Sequence, residues 1–173
     1  MNNINIAKTA FVAYRFLDKL CYSVDQIIKN RAVNSFYVSS KKPFENSVWE
    51  VSQNIIDLID KKIGLINLKI LVEKILHDLP SRFARLLIMR YIDGQKMDFI
   101  LNRLQISERT FSRNTTQALK LSLMFMKKYG FEEINLFNLI KSDKWLLGVY
   151  NVLSARNLSQ DYISSLSCDA LVK

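Results

Sequence analysis

An all-α fold is predicted for this chain of 173 residues by three observations. Glycine (four) and proline (two) are scarce, while Leu, Ile and Lys abound. Apolar residues recur at spacings of three and four, the period of a helix with one buried face. Turn-forming residues are confined to a few short stretches. These stretches divide the sequence into a hairpin of long helices over residues 1–78, a group of shorter helices over 79–130, and a helical extension over 131–173. The length is enough for one compact domain or two small ones with a sizeable core.

Residues 4–36 read as one long helix. Ile6, Ala10, Tyr14 and Leu17 begin an apolar stripe that Cys21, Val24 and Ile28 continue, and Lys8, Arg15, Lys19, Asp25 and Lys29 fall largely outside it. Residues 37–46 contain Ser39-Ser40-Lys41-Lys42-Pro43 and read as a polar loop whose lysines are solvated. A second helix over 47–62 places Val48, Val51, Ile55, Leu58 and Ile59 on its inner side. Gly64 either kinks or breaks it before 65–77, where Leu68, Leu71, Val72 and Ile75 continue the apolar face. Two long amphipathic helices joined by a short loop predict an antiparallel hairpin.

Pro80 suits the first turn of the next helix, where a missing N–H costs nothing, and Phe83, Leu86, Leu87 and Tyr91 follow at helical spacing. Asp93-Gly94 ends it, with glycine supplying a left-handed turn. A short helix carries Met97, Ile100, Leu101 and Leu104 on one side, and Gln105-Ile106 forms a tight corner. Ser107 is a good N-cap, its hydroxyl able to accept from free amides of the first turn. The helix it opens buries Phe111, Thr115, Ala118, Leu119 and Ser122, and exposes Glu108, Arg109, Ser112, Arg113, Thr116, Gln117 and Lys120. Helix, three-residue corner, and a helix with an Arg-, Ser- and Thr-rich face make a helix-turn-helix pattern.

In the extension, Glu132-Glu133 suits a helix N-terminus. Ile134, Phe137, Leu139 and Ile140 precede a further apolar face of Trp145, Leu146, Val149, Tyr150 and Leu153, and a final short helix is expected over 160–166. This part is expected to pack back on the core.

Charge follows the same division. The chain carries +9 overall. From Pro80 to Gly130 ten Lys/Arg face three acids, a net +7, against +3 before this stretch and −1 after it. The positive field lies on the helix-turn-helix pattern, where a phosphate backbone would need it.

The run "LP…R…RYIDG…ILNRLQISERTFSR…AL", about fifty residues, resembles region 4 of bacterial sigma factors. It is also similar to small sigma-region-4-like transcription regulators of phages and prophages, including late-transcription activators. Leu101 stands where that family commonly has Ala, and Gln105 where it commonly has Gly, which predicts left-handed strain at the corner. The resemblance implies a sequence-specific regulator binding double-stranded DNA, of phage or mobile-element origin. It aligns Glu108, Arg109, Ser112 and Arg113 with base-reading positions. Arg can pair bidentately with guanine and Glu can accept from cytosine. Arg82, Arg103, Thr116, Gln117 and Lys120 are suited to phosphates, which set register without reading sequence.

A complete sigma factor would need an aromatic cluster on a basic helix upstream. Tyr14, Phe16, Tyr22, Phe36 and Tyr37 read instead as core residues at helical spacing. A divergent sigma factor and a protein-interaction module on a sigma-like fold stay as alternatives. The hairpin is open to three roles: support, homodimerisation, or contact with core RNA polymerase.

Enzyme chemistry is not expected. His77 is the lone histidine, placed at a helix end that favours a cation. There is no Gly-rich phosphate loop, no Ser/His/Asp set and no metal-ligand spacing, so neither a cofactor nor a metal is expected. The carboxylates Asp57 and Asp60, and Asp93 and Asp98, stand beside Lys61, Lys62 and Lys96, as in solvated ion pairs. Met89, Met97, Met124 and Met126 read as core fillers. Cys21 and Cys168 have no disulfide or zinc spacing. No signal segment opens the sequence and no apolar run nears the roughly twenty residues of a membrane span, so a cytoplasmic protein without a membrane partner is expected.

Overall fold

The computed structural model describes residues 3–38 and 44–155. Of the loop expected over 37–46, residues 39–43 with the lysine pair lie outside the described residues, as do the expected helix over 160–166 and Cys168, whereas 37–38 and 44–46 are helical rather than loop. All regular structure within them is helical: α1 (Asn3–Tyr14), α2 (Leu17–Val38), α3 (Phe44–Asp78), α4 (Ser81–Leu87) running into a π-helical turn (Ile88–Ile92), α5 (Met97–Leu104), α6 (Glu108–Lys128), α7 (Glu133–Ser142) and α8 (Lys144–Ser154).

The helix expected over 4–36 is two helices, broken at Arg15-Phe16. Phe16 closes α1 with a bond from its N–H to the Ala13 carbonyl (2.7 Å), and its own carbonyl accepts from the Leu20 N–H (2.9 Å) to start α2. Its ring is buried edge-on against Trp145, centroids 5.0 Å apart, with the Arg15 guanidinium 4.4 Å over it. The break follows from burial. α1 has Asn5, Ile6, Ala7, Thr9, Ala10, Phe11, Val12 and Ala13 all buried, so it is surrounded rather than one-sided. It packs against α8, α6, the π-helical turn, α3 and α7. The polar groups this buries are satisfied locally: Thr9 Oγ1 donates to the Asn5 carbonyl (2.7 Å) and Asn5 Nδ2 to Ser154 Oγ (3.3 Å).

α2 is amphipathic and pairs antiparallel with α3. Tyr14 Oη donates to Glu73 (2.9 Å), Lys69 Nζ to Asp18 (2.6 Å) and Lys62 Nζ to Asp25 (2.7 Å). Each step forward on one strand of the hairpin is matched by an equal step back on the other, so the three pairs define one register. Such solvent-exposed pairs contribute little to stability, and their effect here is to exclude slipped alignments. Lys61 and Lys62, expected beside Asp57 and Asp60, are drawn instead to Asp143 (2.7 Å) and Asp25.

α3 passes through Gly64 without a break. A Cβ at Gly64 would lie 2.7 Å from Leu139 Cδ1, so the missing side chain lets α7 sit close against α3. Leu68, Leu71, Val72 and Ile75 are buried as expected, and Leu65 with them, whereas Ile59, expected on the inner side, is exposed. Tyr22 and Met124 are likewise exposed rather than in the core, while Phe16, Met89 and Met126 are buried. Cys21 is a half-buried free thiol, pushed up from its ordinary pKa mainly by burial.

The extension folds back on α1. Asp143 accepts from the Trp145 and Leu146 N–H groups (both 2.9 Å), capping α8, while its other oxygen meets Lys61. Leu146, Val149 and Leu153 are buried, and Phe137 packs edge-on against Tyr150.

Candidate nucleic-acid interface

The segment from Pro80 to Lys128 is built as its turn chemistry dictates. Pro80 is the N-cap of α4. The helix loosens at 88–92: the Asp93 N–H reaches back to the Ile88 carbonyl (2.8 Å), and Gln95 N–H reaches Met89 (2.9 Å). Burial pushes the Tyr91 phenol up to about 12, and Arg90 beside it donates to the Gln95 carbonyl (3.2 Å). Gly94 takes the left-handed conformation expected of it (φ 65°).

The corner between α5 and α6 is Gln105-Ile106-Ser107. Gln105 has φ 51° and ψ 46°, the left-handed conformation expected where glycine would be easier, and the Ile106 N–H closes the turn on Leu101 (3.2 Å). Ser107 is extended and caps α6, its Oγ accepting from the Thr110 N–H (3.2 Å).

On α6 the predicted division of faces is observed. Phe111, Ala118, Leu119 and Ser122 are buried and Thr115 half-buried, while Glu108, Arg109, Ser112, Arg113, Thr116, Gln117 and Lys120 are exposed. Six of these seven, Arg109, Ser112, Arg113, Thr116, Gln117 and Lys120, line a single shallow concavity. Glu108 stands in the first turn outside it. Among the described residues Arg109, Arg113 and Lys120 have no carboxylate partner, so their charge is available to a ligand. The Thr116 hydroxyl donates to the Ser112 carbonyl (3.0 Å), so it must rotate to meet a phosphate.

No family model, curated protein or solved structure matches this chain.

A second open concavity gathers Arg82 and Arg103, both predicted, with Arg85, Ser81, Asp93 and Gln95. Arg82 lies with its guanidinium 4.5 Å over Phe83, and Arg103 5.9 Å from Phe99. Arg85 went unpredicted although its position three residues after Arg82 places both on one helical face. The predicted residues therefore fall into two patches, one along α6 and one at the base of α4. His77 is exposed, its Nδ1 3.1 Å from Asp78. Among the described residues no cluster of His, Cys, Asp and Glu could hold a metal ion, and no helix is long and apolar enough to cross a membrane.

Proposed function

We propose that the protein is a sequence-specific transcription regulator that binds double-stranded DNA by inserting α6 into the major groove. The observation that carries this reading is the concave face of α6, where Arg109, Ser112 and Arg113 follow a capped, exposed N-terminus and Thr116, Gln117 and Lys120 continue the same surface. An α-helix fits the roughly 12 Å major groove, and residues of its first turns meet base edges. In this reading Arg109 and Arg113 pair with guanine, Glu108 accepts from cytosine and Ser112 reads either partner. Thr116, Gln117 and Lys120, with Arg82, Arg85 and Arg103 from the second patch, hold phosphates. The net +7 between Pro80 and Gly130 supplies the steering field.

The test is binding of the purified protein to a panel of genomic DNA fragments at rising salt, beside the Arg109→Ala/Arg113→Ala variant. Salt-resistant binding to a few fragments, lost in the variant, is the expected result. Equal, salt-sensitive binding to every fragment, unchanged in the variant, would refute it. Fragment-specific binding that needs added core RNA polymerase would instead identify a sigma factor.

A further inference from the structure

The second concavity offers more than a DNA backbone phosphate needs. It has a volume of about 790 Å³, within the range of small-molecule sites. Arg82 and Arg85 reach it from α4 and Arg103 from the last turn of α5. Asp93 lines the same hollow, yet among the described residues none of the three guanidiniums pairs with a carboxylate. Cations gathered without an acid between them repel one another, and an anion seated among them relieves that repulsion. Three guanidiniums against the Asp93 carboxylate leave the hollow at +2. A phosphate monoester, with about −1.5 to −2 at neutral pH, matches that charge. Ala84, Ile88 and Met89 add an apolar stretch that no phosphate uses.

We propose that this hollow binds a nucleoside monophosphate. The phosphate lies among Arg82, Arg85 and Arg103, whose planar forks grip phosphate oxygens bidentately. Asp93 accepts from the sugar hydroxyls, and the base covers Ala84, Ile88 and Met89. Each part of the ligand answers a different part of the hollow. An inorganic phosphate ion meets only the arginines, and a free nucleoside meets only Asp93 and the apolar stretch. The binding itself does not depend on DNA recognition by α6. One consequence does rest on that reading: because the same three arginines hold backbone phosphates in it, nucleotide and DNA compete, and the nucleotide acts as a regulator of DNA binding.

The test is calorimetric titration of the full chain with AMP, GMP, CMP and UMP, beside inorganic phosphate and the corresponding free nucleosides. At least one nucleotide is expected to bind about tenfold or more tighter than both inorganic phosphate and its own nucleoside. Arg85→Gln/Arg103→Gln is expected to weaken that binding on the order of thirtyfold. Both side chains are exposed, so the circular dichroism spectrum and melting of this variant should match the parent. Asp93→Asn is expected to weaken the nucleotide several-fold while inorganic phosphate binds as before or more tightly, since only a like charge is removed for the latter. Arg109→Ala/Arg113→Ala, which removes the base-reading pair of α6, is expected to keep nucleotide binding whether or not the parent binds DNA. Three results would each overturn the proposal: no nucleotide bound better than inorganic phosphate, binding indifferent to Arg85→Gln/Arg103→Gln, or binding lost in Arg109→Ala/Arg113→Ala.

Discussion

Replacing Gln105 with glycine is expected to stabilise the protein. At φ 51° the Gln105 Cβ crowds its own carbonyl, a conflict that costs about 1–2 kcal/mol for an L-residue in this conformation. Glycine removes the conflict but gives the unfolded chain more freedom, returning about 0.5–1 kcal/mol. The difference leaves a gain of about 0.5–1 kcal/mol, equivalent to roughly 2–4 °C in Tm for each full kcal/mol at this chain length. The Gln105 side chain is exposed, so little packing is lost in exchange. Urea unfolding and thermal melting of Gln105→Gly and Gln105→Ala beside the parent measure it. Alanine keeps the Cβ and should match the parent. A glycine variant that is no more stable than the alanine variant would refute the reasoning, since the two differ at this position by the Cβ alone.

Asp143→Ala removes both the cap of α8 and the partner of Lys61, and is expected to cost about 2–3 kcal/mol in urea unfolding, while Asp143→Asn keeps the cap and costs less. Gly64→Val must push Leu139 and α7 away from α3, with an expected loss of about 1–3 kcal/mol by the same assay. Tyr91 sets an alkaline limit. Its folded pKa, about 12, lies above the ordinary value of 10.0, so its contribution is complete below pH 10 and is lost as pH rises toward 12. Stability measured across that window should fall less steeply in Tyr91→Phe than in the parent. Ser107→Ala, which deprives the Thr110 N–H of its acceptor, should destabilise by about 1 kcal/mol and weaken DNA binding, followed by melting and by titration with a bound fragment.

Local chemistry made the region around the corner legible. Pro80 and Gly94 act through their own backbones and Ser107 through a hydroxyl that reaches only the next turn, and the buried and exposed sides of α6 follow from helical spacing alone. Of the hairpin expected over 1–78, the structure pairs α2 with α3, while residues 3–14, read as the start of its first helix, form the separate and enclosed α1. What could not be read were consequences of packing between distant segments. The break at Phe16 depends on Trp145, and the unbroken passage through Gly64 depends on Leu139. One signal was available and went unread: Lys8 is the lone charged residue from Asn3 to Tyr14, which marks a helix buried on all sides rather than the start of an amphipathic one. Ile59 was misplaced for a related reason, since a helix with two apolar stripes offers no single inner side. At the candidate interface, spacing gave the exposed face of α6, but only the fold brings Arg103 beside Arg82 and Arg85.

The central position of α1 has a consequence for how the molecule assembles. Synthesis reaches α1 before the α7 and α8 that help enclose it, with Asn5 hydrogen-bonded to Ser154 across 149 positions of sequence. During synthesis α2 and α3 can zip together from local contacts, but α1 waits without its cover until α8 has emerged. The core closes in one late, long-range step, and a nascent chain stopped short of α8 leaves Asn5 and Phe16 without their partners Ser154 and Trp145.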